Sequence, residues 1–166
     1  MSAKEPAAKW YYDACTLDPN LGTFGEIVNK RATAYTSNLA LGESFANSLR
    51  KDPESLESFI DLIKKLRETG IEINIVGNDE IEKLISQIKE LCPRLSLTDS
   101  VHLATALREG CCVFRTIDSD FDDVTTDIQK QLANKHGMST FSIVQMNPAN
   151  KTELFKAKKA MRRKGV

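Results

Sequence analysis

The sequence predicts one α/β domain, a three-layer sandwich in which helices flank a mostly parallel central sheet. Its 166 residues are a usual length for one domain with one continuous core. Strand-like and helix-like hydrophobic patterns alternate along the chain, which favours parallel strands joined by helices. Residues 111–116 form an apolar run of the kind that is buried inside parallel sheets.

The first elements follow from short hydrophobic runs and a capping residue. Residues 9–12 are predicted to form a strand that ends at Asp13, and residues 23–31 show a weaker helical pattern. A second strand is expected at residues 32–36. Ser37 is a good N-cap for the helix that follows it.

The middle of the chain shows the clearest helix. It is predicted to begin at Asp52-Pro53, with Asp as N-cap and Pro at the first helical position, and to end at Gly70. Residues 71–75 alternate apolar and polar side chains, as a half-buried strand does. Residues 81–91 then form an amphipathic helix closed by Pro93.

The last elements complete a domain at residues 1–147. Thr98 is expected to cap a helix that ends at Gly110 and leads into the strand at residues 111–116. A helix at residues 124–136 and a strand at residues 140–145 follow. Residues 148–166 are interpreted as a basic C-terminal tail.

Composition places the chain among ordinary globular proteins, with 41% hydrophobic and 28% charged residues. No apolar run approaches the roughly 20 residues that span a membrane, and the first nine residues lack the apolar core of a signal peptide. The four cysteines show no paired spacing that indicates a disulfide framework or a zinc site. We therefore expect a cytoplasmic protein without a membrane segment.

The net charge of zero hides an asymmetry. Residues 150–166 carry seven basic side chains and one acidic one, a charge of +6, which leaves −6 for the rest of the chain. An acidic body with a basic tail is typical of a protein that concentrates carboxylates at one place and contacts an anionic partner elsewhere.

Acidic residues fall where the strands of a parallel sheet end, which is where such sheets bind ligands. Asp13 ends the first strand, and Asp118 follows the strand at residues 111–116. Asp99 opens the helix before that strand, and Glu43 lies about two turns into the helix after the second strand. Two carboxylates about 4 Å apart repel by roughly 4 kcal/mol at an effective dielectric near 20, so the cluster calls for a cation.

Oxygen ligands without histidine or cysteine favour Mg²⁺, Mn²⁺ or Ca²⁺ over zinc. One or two such ions supply an activated water and stabilise charge on a phosphodiester, so that no side-chain nucleophile is needed. The acidic residues thus predict metal-dependent phosphoryl chemistry.

Four segments in order resemble the acidic motifs of the PIN domain family. Each motif is weak alone, but the four together, spanning residues 10–122, form a more specific signal. They are Trp10-Tyr11-Tyr12-Asp13, Thr36-Ser37-Asn38-Leu39-Ala40-Leu41-Gly42-Glu43, Thr98-Asp99-Ser100-Val101-His102-Leu103-Ala104-Thr105-Ala106 and Thr116-Ile117-Asp118-Ser119-Asp120-Phe121.

This resemblance implies a Mg²⁺- or Mn²⁺-dependent ribonuclease acting on RNA. Its acidic set would be Asp13, Glu43, Asp99 and Asp118, with Asp120 as a further metal ligand and Asp122 as an auxiliary. Many small members are VapC-type toxins that a partner antitoxin inhibits, which implies a possible antitoxin protein as partner. Members of this size commonly form homodimers, and we expect one here.

Residues beside two of the acids also bear on the site. Ala14 and Cys15 stand where members often have Thr followed by Asn or Ser, so a polar contact to Asp13 is either missing or replaced by a thiol. His102 lies one helical turn after Asp99, but a lone histidine is more often structural, and we leave it out of the site.

Two functions in different classes stay open at this stage. The first is a metal-dependent endoribonuclease, and the second is a non-catalytic PIN-like module that binds RNA or protein. All four acids are present, which favours the enzyme.

Overall fold

The sheet consists of five parallel strands. The structure, a computed structural model, describes residues 7–17, 32–51 and 73–146, together with isolated helical positions between 57 and 68. In the described residues the strands lie in the order β3-β2-β1-β4-β5, and every neighbouring pair is parallel. Their bounds are β1 Lys9–Tyr12, β2 Thr33–Ser37, β3 Ile73–Val76, β4 Val113–Thr116 and β5 Ser142–Gln145. The predicted parallel α/β fold is confirmed.

Four α-helices and two 3-10 helices connect the described strands. The α-helices are α1 Asn38–Lys51, α2 Glu82–Leu91, α3 Leu97–Arg108 and α4 Thr126–Lys135. The 3-10 helices, Ala14–Thr16 and Ser119–Asp123, each follow a strand end closely. Two predicted helices, at residues 23–31 and 53–69, and the tail lie wholly or largely outside the described residues. None of the described helices is long and apolar enough to cross a membrane.

The capping residues explain where two helices begin. Ser37 caps α1 as predicted, because its Oγ accepts a hydrogen bond from the backbone N–H of Ala40 at 3.2 Å. The cap predicted at Thr98 is wrong. Ser96 caps α3 instead, and its Oγ accepts from the N–H of Asp99 at 3.1 Å. The helix begins earlier than its apolar pattern indicates, so Asp99 occupies its first turn.

The core is built around the two central strands. The rings of Tyr11 on β1 and Phe114 on β4 stack with centroids 5.2 Å apart, and Phe121 packs against Phe114 at 4.8 Å. Tyr11 and Tyr12 are buried. Within the run at residues 111–116, Val113–Thr116 forms an interior strand, which includes the buried Arg115. Arg115 donates to the carbonyl oxygens of Val144 and Gln145.

One predicted burial pattern is wrong at the edge of the sheet. Ile75 on β3 is 55% exposed, although its alternation with polar residues predicts a buried face. Among the described strands, β3 lies at the edge of the sheet and has one neighbour, β2.

Register brings the ends of β1 and β4 together. Tyr12 lies opposite Arg115, and the backbone N–H of Asp13 continues the ladder by donating to the Arg115 carbonyl oxygen at 3.1 Å. The residues that follow these two strands therefore meet at one edge of the sheet.

Candidate active site

Asp13 is buried at this edge, 5% exposed, and its carboxylate is held on both sides. Its Oδ1 accepts a hydrogen bond from the backbone N–H of Ala14 at 2.8 Å, which caps the first 3-10 helix. Its Oδ2 accepts from the Thr116 hydroxyl at 3.0 Å and from the Cys15 thiol at 3.4 Å. Burial raises the pKa of the Asp13 carboxyl, against the lowering effects of His102 and these hydrogen bonds.

The Cys15 thiol supplies a side-chain contact to Asp13 that the methyl group of Ala14 cannot supply. Burial, followed by the charge of Asp13, raises the pKa of the Cys15 thiol well above its ordinary value, so the thiol stays protonated and acts as a donor. Of the two alternatives left open by the sequence, the structure favours a polar contact replaced by a thiol.

Three other predicted acids form a second group. Asp99, Asp118 and Asp120 each offer one carboxylate oxygen, and these oxygens lie within 4.8 Å of one another. Asp99 lies in the first turn of α3, and Asp118 caps the second 3-10 helix by accepting from the N–H of Asp120 at 2.9 Å. Asp122, the predicted auxiliary, lies outside this group, and its Oδ1 accepts from the Gln145 amide at 3.4 Å.

Thr116 joins the two groups. Its hydroxyl donates to Asp13 and accepts a hydrogen bond from the backbone N–H of Asp118 at 3.0 Å. One buried hydroxyl at the end of β4 thus positions both the carboxylate of Asp13 and the turn that carries Asp118. The sequence contains the signal, a threonine two residues before Asp118, but does not reveal its contact across the sheet.

The charges of the group perturb Asp99. Burial raises the pKa of its carboxyl to about 6, and the charges of Asp118, Asp13 and Asp120 add to this effect. Because the charge of Asp13 also raises the pKa of Asp99, Asp13 interacts electrostatically with the group of Asp99, Asp118 and Asp120.

Glu43 is placed beside His102 rather than in the group of three aspartates. The His102 Nε2 lies 3.2 and 3.3 Å from the two Glu43 carboxylate oxygens and 3.8 Å from Asp13 Oδ1. His102 is 1% exposed, whereas the Glu43 side chain is 34% exposed. The predicted acids therefore form two groups. One contains Asp99, Asp118 and Asp120, and the other contains Asp13 and Glu43, with His102 between them.

His102 makes polar contacts on both sides of its ring. Burial opposes a charged ring, but the hydrogen bond that His102 donates to Glu43 and the charges of Asp13, Glu43 and Asp99 together raise the pKa of His102. The Tyr11 hydroxyl donates to Ser37 Oγ and lies 2.9 Å from His102 Nδ1. Since carboxylates only accept, Nε2 of His102 donates to Glu43. Leaving His102 out of the site missed this contact, which joins residues 59 positions apart.

The donor set suits a hard divalent ion. Each member of the aspartate group supplies a carboxylate oxygen, and the thiol nearest to them is protonated. Mg²⁺ and Mn²⁺ prefer oxygen ligands of this kind. Such an ion would neutralise the negative charges of Asp118, Asp13 and Asp120, which add to the effect of burial on the pKa of Asp99.

The family is decided by the sequence profile of the PIN domain, which matches residues 10–126. The chain belongs to the PIN domain family. PIN domains are in general nucleases and typically use divalent metals. No curated protein sequence matches this PIN domain significantly.

Among solved structures, this PIN domain is similar to the crystal structure of VapBC2 from Rickettsia felis bound to a DNA fragment from their promoter. The TM-score is 0.54 at 11% sequence identity, and the match covers 84% of this chain and 99% of that one. The likeness concerns the fold.

Metal affinity should depend on pH through Asp99. Its pKa of about 6 means that a proton competes with a divalent ion below that value. We expect Mn²⁺ affinity to fall about tenfold per pH unit below pH 6 and to level off above it, as for one competing proton. Calorimetric titration across this range, with Asp99→Asn as a control that lacks the proton, checks the prediction. Equal affinity on both sides of pH 6 would contradict it.

Proposed function

We propose that the chain is a metal-dependent endoribonuclease that hydrolyses RNA phosphodiester bonds with its acidic cluster. The observation that carries the proposal is the meeting of Asp99, Asp118 and Asp120, with ligand oxygens within 4.8 Å, in a member of the PIN domain family. The proposed catalytic set is Asp13, Glu43, Asp99 and Asp118, with Asp120 as a further ligand.

Each residue contributes a different part of the proposed site. Asp99, Asp118 and Asp120 would hold Mg²⁺ or Mn²⁺. A bound ion supplies an activated water and neutralises charge on the phosphodiester. Asp13 adds a fixed negative charge, since three donors hold its carboxylate.

Glu43 is a partly exposed member of the set. Its carboxylate lies beside His102, whose Nε2 is also 3.8 Å from Asp13 Oδ1. As a partly exposed carboxylate, it is proposed to accept a hydrogen bond from a water or from the substrate.

The partners follow from the same proposal. RNA is the substrate, and an antitoxin protein is the proposed inhibitor, because the similar fold of the VapBC2 structure belongs to a protein pair of that kind. This makes the toxin of a toxin-antitoxin pair the proposed biological role. The four free thiols agree with the proposed cytoplasmic location. The homodimer stays a prediction.

The products of RNA cleavage test the proposal. Wild-type protein is incubated with a labelled RNA in Mn²⁺ or in EDTA, and the new ends are analysed. We expect cleavage in Mn²⁺ alone, without 2′,3′-cyclic phosphate, because an activated water replaces the ribose 2′-hydroxyl as nucleophile. Binding of RNA without cleavage would instead favour the non-catalytic PIN module.

The basic tail, residues 148–166, is proposed to bind RNA outside the metal site, because a body of charge −6 repels the substrate. Neutralising about four phosphates contributes close to −3 to the log–log slope of affinity against salt. Truncation after Pro148 should therefore weaken RNA binding at low salt and flatten this slope. Filter binding across a salt series checks it, and unchanged affinity and slope would mean that the tail does not contact RNA.

A further inference from the structure

Glu43 depends on a single described side chain for its position. Among the described residues, the hydrogen bonds of its carboxylate go to His102 Nε2, at 3.2 and 3.3 Å. Glu43 lies on α1 and is partly exposed, so without this contact its side chain would sample several rotamers.

The imidazole ring of His102 is itself fixed. Its Nδ1 lies 2.9 Å from the Tyr11 hydroxyl, which donates to Ser37 Oγ at 2.8 Å. Ser37 in turn caps α1, the helix that carries Glu43. The chain of contacts therefore begins and ends on one helix and passes through β1 and α3. All three of its intermediate side chains are at most 1% exposed.

A histidine that only fills the core would be expected to satisfy its ring with backbone or hydroxyl groups. His102 does this with Nδ1 alone. Its Nε2 is directed to carboxylates, those of Glu43 and, at 3.8 Å, of Asp13. The His102 ring thus lies between the buried Asp13 and the partly exposed Glu43, and it orients the Glu43 carboxylate.

We propose that His102 is a positioning residue, which holds the Glu43 carboxylate in place on the side of its ring that also approaches Asp13, and which is itself oriented by Tyr11. The proposal rests on the proposed nuclease function for its kinetic consequences. The hydrogen bond between His102 and Glu43 does not depend on the proposed nuclease function.

A double-mutant cycle separates positioning from packing. His102→Ala and Glu43→Gln are each expected to lower kcat by about 10- to 100-fold, with little change in KM for RNA. If His102 acts through Glu43, the double variant is no worse than Glu43→Gln alone within about threefold. Multiplying losses would overturn the proposal, because they mean that His102 acts independently of Glu43.

Tyr11→Phe provides a milder variant should His102→Ala fail to fold. It removes the hydroxyl that faces Nδ1 and keeps the ring that stacks on Phe114. A folded variant with reduced kcat and unchanged KM supports the proposal, and wild-type kcat counts against it. His136→Asn, which removes the other of the two histidines in the chain, is the matched control.

Imidazole nitrogen NMR on the metal-free protein gives a readout that needs no activity. With two histidines, the His136→Asn variant assigns the ring signals. Glu43→Gln should shift the Nε2 signal of His102, and Tyr11→Phe should shift its Nδ1 signal. If neither moves, the proposal is overturned. If both move while the wild type fails to cleave RNA, the contact stands and the nuclease function fails.

Discussion

Asp13→Asn is expected to lower the rate of metal-dependent RNA cleavage by at least about a hundredfold, since removing a mere hydrogen-bond partner of a ligand already costs 10- to 100-fold. The substitution removes the fixed charge beside the three-aspartate group at nearly constant volume. The protein should stay folded, because the amide oxygen still accepts from the Ala14 N–H, and the Thr116 hydroxyl can accept from the amide nitrogen.

A charge-matched control makes this result specific. Asp127→Asn removes one negative charge from the exposed first turn of α4, outside the group of Asp99, Asp118 and Asp120, and should cleave RNA at the wild-type rate. Circular dichroism and thermal melting confirm that both variants are folded. Cleavage by Asp13→Asn at the rate of Asp127→Asn would sink the assignment of Asp13.

Asp99→Asn should affect stability in opposite directions without and with metal. Because the folded protein raises the pKa of Asp99 to about 6, its ionised form destabilises the folded state at higher pH. The contribution of Asp99 is most favourable below its unfolded pKa and is lost as pH rises to about 6. The metal-free variant should therefore be more stable than wild type at neutral pH. Its helix cap survives, since Ser96 accepts from the backbone of Asp99.

Metal reverses this order. An ion bound by the folded state alone stabilises wild type by about 2.7 kcal/mol at a hundredfold excess over Kd. Asp99→Asn should gain much less, because it lacks one of the three proposed ligands. Urea unfolding with EDTA or with Mn²⁺ measures both effects. An equal gain in wild type and in Asp99→Asn would place the ion elsewhere.

The local elements of the fold follow from local sequence signals. The strand Lys9–Tyr12 and the Ser37 cap are found as predicted, because an apolar run and a capping hydroxyl act over a few residues. The cap of α3 was misplaced, since Ser96 and Thr98 are both good capping residues and only the start of the helix decides between them.

The candidate site was predictable to the extent that it depends on strand ends. Asp13 and Asp118 come together because the parallel strands β1 and β4 end at one edge. The His102 contact to Glu43 was not predictable in this way. It depends on how α1 and α3 pack beside each other, and no periodicity or spacing in the sequence encodes that distance.

RNA cleavage as a function of Mn²⁺ concentration, with wild type and Asp13→Asn measured side by side at matched purity, shows whether the acidic cluster is a metal-dependent ribonuclease site. We expect no cleavage by wild type in EDTA, saturable cleavage as Mn²⁺ is added, and at most about one hundredth of that rate for Asp13→Asn. Cleavage that persists in EDTA, or that is equal in the two proteins, would exclude this function for the cluster.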